Sequence, residues 1–224
     1  MNEDLRLGTS YFGVRDRSHA KKDLNEMKEK GCNSVIHTFS ENDYYFYTDT
    51  VRDIMRDSDD LGFETYIAPW GVGGVFSGEA FPAFPLNHPE SRQRLSSGEA
   101  APASCLNDRN FREFVKSWIE KASSTGADYI FWDEPFFYPP SWMDPKGKWG
   151  CRCDTCKRNF KRKFDSKFPE ELNDQMKRFK QESIFDFLEE MLKLTKEKGM
   201  KNALCLTPHF QNPDLNERKW NKYA

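Results

Sequence analysis

Six cysteines are spread unevenly along the chain: Cys32, Cys105, Cys151, Cys153, Cys156 and Cys205. Three of them form a C-x-C-x-x-C run, Cys151-Arg152-Cys153-Asp154-Thr155-Cys156, in front of a helical pattern. Three thiols this close can wrap one tetrahedral Zn²⁺. The fourth ligand must come from elsewhere. Cys105 is the best candidate, because it ends the other long loop just before a helix. Four thiolates leave no open position for water or substrate, so such a zinc is structural. Disulfides are the competing use of these thiols. Residues 1–7 are charged and carry no apolar signal segment, which disfavours disulfides and predicts a cytoplasmic location. Cys32, past a helix stop, and Cys205, in an apolar strand, read as core residues.

A second chemistry-bearing motif closes an apolar run: Phe131-Trp132-Asp133-Glu134, followed by Pro135-Phe136-Phe137-Tyr138. An acidic pair directly after a buried strand lies at the mouth of a sheet. An apolar wall beside a carboxyl raises its pKa and suits it to general-acid work. Glycoside hydrolysis needs such a group to protonate the leaving oxygen, with a second carboxylate on the other face of the sugar. The competing reading is an Asp-Glu pair that caps a loop or pairs with lysine. Aromatic faces stack on sugar rings but also fill loop cores, and Trp70, Phe76, Phe81, Phe84, Trp142 and Trp149 are all open to both uses. Trp70 and Trp132, at strand ends, are the expected substrate-binding aromatics. His209, after Thr207-Pro208, is a further candidate at the mouth. His37, inside a strand pattern, reads as a core histidine, and Asp16, Glu41 and Asp43 as loop or cap residues.

The elements that must position these groups follow one rhythm: amphipathic helix, glycine, short apolar strand. Ala20, Leu24 and Met27 share a helical face and run out at Gly31, before a strand at 34–39. Val51, Ile54, Met55 and Leu61 run to Gly62, before a strand at 65–68. Phe111, Phe114, Val115, Trp118, Ile119 and Ala122 run to Gly126, before a strand at 128–132. Ile184, Phe187, Leu188, Met191 and Leu192 run to Gly199, before a strand at 203–206. A further strand at 8–14 comes first. These spacings are helical, and glycine is suited to the position after a helix. Strands alternating with helices predict a parallel sheet. The first strand lacks the glycine-rich phosphate turn of a dinucleotide fold. Long loops, 71–106 and 136–169, follow the third and fourth strands, where barrel enzymes build their sites. The expected fold is α/β, a (β/α)₈ TIM-barrel-like domain with five βα units present in 1–224. Five strands that cannot close leave two edges, so self-association and an incomplete active site are expected of this chain.

At 224 residues the chain can bury a core without disulfides. It is 37% hydrophobic and 31% charged, but its 19 Phe and 6 Trp argue against disorder. The net charge of −2 excludes a strongly basic nucleic-acid protein. The cations at Lys157, Arg158 and 161–163 alternate with Phe160 and Phe164, the pattern of an ordinary helix with its charges in solvent. No nucleic-acid partner is therefore expected. No apolar run approaches the roughly 20 residues of a membrane span, so no membrane partner is expected either.

Residues 104–164 resemble the catalytic domain of glycoside hydrolase family 42, a β-galactosidase clan of (β/α)₈ barrels. Cys105 precedes a helix, an acidic dipeptide with Glu second closes the next strand, and a C-x-C-x-x-C run leads into an aromatic and basic helix. The resemblance implies Glu134 as acid/base and Cys105, Cys151, Cys153 and Cys156 as ligands of a structural zinc. The family usually has Asn before that Glu, and this chain has Asp133, at a position that contacts the sugar. The family's nucleophile, a Glu on the seventh strand, has no counterpart and would lie past Ala224. The expected function is a glycoside hydrolase acting on a saccharide by a retaining two-carboxylate mechanism. The competing function is a non-catalytic carbohydrate-binding or assembly module with a structural zinc.

Overall fold

The computed structural model describes residues 5–139 and 147–205. In chain order these form β1 (Gly8–Tyr11), α1 (Arg17–Glu29), β2 (Ser34–Thr38), a π-helical turn (Asp43–Tyr47), α2 (Thr48–Asp60) and β3 (Glu64–Ala68). Then come α3 (Phe84–Asn87), β4 (Arg92–Arg94), β5 (Ala100–Ser104), α4 (Arg109–Ser123) and β6 (Tyr129–Asp133). The last three are α5 (Asp154–Phe164), α6 (Asp174–Glu197) and β7 (Lys201–Cys205). The helix starts are set by side-chain caps. Asp16, Asp108 and Asn173 each accept a hydrogen bond from the backbone N–H three residues on. At the other ends, Gly126 (φ 85°) and Gly199 (φ 81°) take the left-handed conformation that turns the chain back toward the sheet. Among the described residues no helix is long and apolar enough to cross a membrane.

The five strands of the main sheet lie in the order β1-β2-β3-β6-β7, and every pair is parallel. Side chains alternate across a strand. Val35, Ile67, Ile130 and Trp132 point to the helical side and are fully buried. Ile36, Tyr66, Tyr129, Phe131 and Asp133 point the other way and are half-buried, with Tyr66 and Tyr129 stacked at 4.5 Å. This alternation decides the role of Trp132. It packs against Phe76 and Trp118, donates its Nε1–H to Asn202 Oδ1 at 2.9 Å and is 0% exposed. Trp132 is therefore a core residue rather than a substrate wall, because a strand that turns Asp133 to one face turns its neighbour to the other.

The loop predicted at 71–106 contains structure that the pattern did not announce. β4 and β5 form an antiparallel hairpin, pinned by the fully buried Gln93. Gln93 Nε2 donates to Ser104 O (2.9 Å), and its Oε1 accepts from the Tyr138 N–H (2.9 Å). One side chain thus ties the segment after β3 to the segment after β6.

His37 is a satisfied core histidine. The Ser58 hydroxyl donates to Ile54 O (2.9 Å), so Ser58 Oγ accepts from His37 Nε2–H at 3.0 Å. Burial lowers the His37 pKa to about 4. An unfolded imidazole takes up its proton near pH 6.5. The stabilisation by the neutral ring is therefore complete above pH 6.5 and is lost as the pH falls toward 4. Over that window stability should fall by roughly 3 kcal/mol from this group alone. Urea midpoints measured between pH 7 and 4 should show this, and His37→Gln should flatten that part of the profile.

Candidate active site and metal centre

Both chemistry-bearing motifs lie beyond the C-terminal ends of the strands. Asp133 is the last residue of β6, on the face away from the helices, and Glu134 is the turn that follows. Glu134 has φ 42°, the left-handed region that costs an L-residue about 1–2 kcal/mol. Its N–H donates to Cys205 O at 3.1 Å, which fixes the turn to the end of β7. Non-glycine residues in this conformation concentrate at functional sites.

Asp133 pairs in register with Cys205. Burial raises the Asp133 carboxyl, a hydrogen bond from Cys205 lowers it, and the charge of Glu134 raises it, with a net upward shift. The Cys205 thiol is pushed up to about 11, first by burial and then by the charge and hydrogen bond of Asp133. Cys205 is half-exposed and faces the acidic pair, so it is a mouth residue and not the core residue that its apolar strand suggested. Three titratable groups thus meet at the ends of two neighbouring strands. Its apolar strand reads as core because its partner Asp133 is set by register, which spacing does not encode.

The other sequence candidates divide. Trp70 lies in the turn that follows β3 and is half-buried. Phe76, Phe84 and Trp149 are buried in the core, whereas Phe81 is 70% exposed. Glu41 and Asp43, near the end of β2, are committed to structure. Glu41 is almost fully buried and accepts from the Gly73 N–H (2.8 Å) and the Phe84 N–H (2.6 Å). Asp43 accepts from the Ser40 N–H (2.8 Å), the Ser40 hydroxyl (2.7 Å) and Arg15 Nε (2.6 Å). His209 and Trp142 lie outside the described residues.

The four cysteines Cys105, Cys151, Cys153 and Cys156 come together with their Sγ atoms all within 4.8 Å of one another. Cys105 Sγ lies 3.4 Å from Cys156 Sγ and 3.6 Å from Cys153 Sγ. A disulfide would need about 2.05 Å. A tetrahedron of sulfurs 2.3 Å from a central ion has edges of about 3.8 Å, so the arrangement fits a four-thiolate metal centre. Cys105 arrives from the segment after β5. Cys151 arrives from a segment bound to the hairpin through Arg152 N–H to Arg94 O (2.7 Å) and Ser96 N–H to Trp149 O (2.8 Å). Cys153 caps α5, its Sγ accepting from the Cys156 N–H. Asn107 donates to Cys156 Sγ at 3.4 Å and to Ser183 on α6 at 3.0 Å. Hydrogen bonding to the other three thiols, together with burial, raises Cys105 well above the ordinary thiol range, while the same contacts lower Cys153. Protons shared in this way are what a bound cation would replace. The cluster joins the loop after β3 to the loop after β6.

No protein-family model matches the chain, and no curated protein matches it. Solved structures resemble it in fold. A β-N-acetylhexosaminidase superposes with a TM-score of 0.59 at 11% identity, over 92% of this chain and 47% of that one. A family 20 exo-β-N-acetylglucosaminidase from Vibrio harveyi, in complex with N-acetylglucosamine, gives 0.58 at 10% identity, over 89% and 35%. A Flavobacterium johnsoniae chitobiase of the same family gives 0.52 at 11% identity, over 89% and 31%. The fold is thus α/β of the TIM-barrel type, shared with glycoside hydrolases, with five parallel strands as part of a barrel. These likenesses lend no support to family 42 in particular. The chain spans between about a third and a half of the length of these proteins.

Proposed function

We propose that the protein is a glycoside hydrolase acting on a saccharide, with Glu134 as acid/base and Asp133 in contact with the sugar. The observation that carries this reading is the acidic pair itself. It stands at the C-terminal end of a central parallel strand, the end where TIM-barrel enzymes hold their reacting groups, with Glu134 in a left-handed turn. Kinship with family 42 is the finer form of the reading, supported by the order of Cys105, Asp133-Glu134 and the C-x-C-x-x-C run. The cysteine cluster holds a structural Zn²⁺, because four thiolates in a tetrahedral set suit that ion. Its work is to fasten the two loops, and it takes no part in the reaction.

In the two-carboxylate form, a nucleophile about 5–5.5 Å from the acid/base attacks the anomeric carbon while Glu134 protonates the leaving oxygen. Glu41 and Asp43 are held by backbone N–H groups and Arg15 and are poor candidates. The nucleophile then lies outside the described residues. A second form is favoured by that commitment and by the adjacency of Asp133 to Glu134. Some retaining glycosidases use the substrate's own 2-acetamido oxygen as nucleophile. Asp133 would then accept the acetamido N–H, and the saccharide would be an N-acetylhexosaminide, the sugar named for the solved structures above.

Aryl glycosides that differ only at C2 separate the two forms. The full-length protein should turn over a p-nitrophenyl β-N-acetylglucosaminide and leave the β-glucoside and β-galactoside if the acetamido group is the nucleophile. Turnover that ignores the 2-substituent supports a protein nucleophile. Saccharide binding with turnover of none of them supports the carbohydrate-binding module instead.

A further inference from the structure

We infer that Phe12 is the sugar-stacking platform of this site, a binding residue held at the end of β1 on a Trp70 buttress. The inference rests on the saccharide reading above. Phe12 continues the alternation of Gly8 and Ser10, on the sheet face that also carries Asp133. Its ring centroid lies 4.4 Å from that of Trp70, with the planes tilted by 38°. Phe12 is 43% exposed, whereas Trp70 beneath it is half-buried.

Trp70 is held from a second direction. Gly78 has φ +119°, and a Cβ at that position would lie 2.4 Å from Trp70 Cδ2 and 2.6 Å from Cε2. The backbone at Gly78 therefore lies directly against the indole, an approach closed to any other residue. The same loop is fastened to the strand of the acidic pair. The Ser77 N–H donates to Asp133 O (3.2 Å), the Phe136 N–H to Val75 O (2.9 Å) and the Gly71 N–H to Ser77 O (3.0 Å). Tyr66 pairs with Tyr129 across β3 and β6. Trp70 lies in the turn just past β3, the strand beside that of Asp133. β1 lies three strands from β6, about 14 Å at roughly 4.8 Å per spacing, so Phe12 stands some two to three sugar rings from the carboxylates.

A single exposed phenylalanine is ordinary. A buttressed one across the sheet from an acidic pair has a specific use. Its ring is already ordered, so a ligand that covers it loses little side-chain entropy. The negative π face accepts the weakly positive C–H face of a pyranose, while the hydroxyls stay free for polar groups. The ligand class is a neutral pyranoside of three or more units, with one ring on Phe12 and a further ring at Asp133 and Glu134. Trp70, expected from sequence to be the stacking ring, serves as its support.

The test is calorimetric titration of the full-length protein carrying Glu134→Gln, so that ligand survives, with chitotriose and with a β-1,4-galactotriose as probes. Adding Phe12→Ala or Phe12→Leu should weaken binding of whichever probe binds by roughly 10-fold, because Leu keeps the bulk against Trp70 and loses the π face. Phe12→Tyr should bind as the parent does. Phe46→Ala, which removes a 75% exposed ring on the π-helical turn, should leave affinity unchanged. Parent-like binding by Phe12→Leu overturns the platform and leaves the saccharide reading standing. Failure of both probes to bind the parent overturns that reading, and the platform with it.

Discussion

Hydrolysis of an alkyl glycoside by the full-length protein is expected to fall by about 10²–10⁴-fold when Glu134 becomes Gln, the usual worth of general acid–base help. An alkoxide is a poor leaving group and must be protonated as it departs. Glutamine keeps the shape of the side chain and its left-handed turn but cannot give up a proton. A p-nitrophenyl glycoside needs little protonation, so its first step should suffer far less. The ratio between the two substrates therefore separates loss of an acid from loss of fold. Equal alkyl-glycoside turnover by Glu134→Gln and wild type would remove Glu134 from the mechanism. Asp133→Asn should behave differently. If Asp133 holds an acetamido N–H, both leaving groups should be slowed alike, because the group acts on the nucleophile.

Purified protein is expected to carry about one zinc per chain, and Cys151, Cys153 and Cys156 changed together to Ala should abolish it. Apparent free energies for structural zinc in small modules are about 10–16 kcal/mol, against roughly 1 kcal/mol for a typical point substitution. The consequence should be local first. Cys105, Cys151 and the hairpin share one anchor, so chelation should expose the segments near 92–106 and 147–156 to protease before the helices that cover the sheet. Cys32→Ala, outside the cluster, should leave metal content unchanged. Full zinc retained in the triple variant would contradict the assignment.

Much of this arrangement follows from local rules that a sequence displays. Helices capped by Asp16, Asp108 and Asn173 and stopped near Gly126 and Gly199 are specified by residues within a few positions of each end. The C-x-C-x-x-C run is readable because short covalent spacing confines three thiols to one turn. Other features depend on partners far along the chain. Ala100-Ala101-Pro102-Ala103-Ser104 has little strand propensity, and it becomes β5 because Gln93 binds Ser104 and Tyr138. An apolar run does not say which face of a strand is covered, and so does not separate Trp132 as core from Trp132 as mouth. β1, Gly8-Thr9-Ser10-Tyr11, has a weak alternation, and the role of Phe12 comes from Trp70, past the end of another strand. Cys205 became a mouth residue through its pairing with Asp133.

The most direct measurement is the anomer released first by the full-length protein, followed by ¹H NMR during hydrolysis of p-nitrophenyl N-acetyl-β-glucosaminide, whose single sugar is freed at the cleaved carbon. Both forms of the proposed mechanism pass through an intermediate on the anomeric carbon, one covalent with the enzyme and one closed on the acetamido oxygen. Each inverts that carbon twice. The β-anomer of N-acetylglucosamine should therefore appear first and mutarotate later. Initial release of the α-anomer would contradict the account, because it requires a water placed between two carboxylates about 6.5–9.5 Å apart.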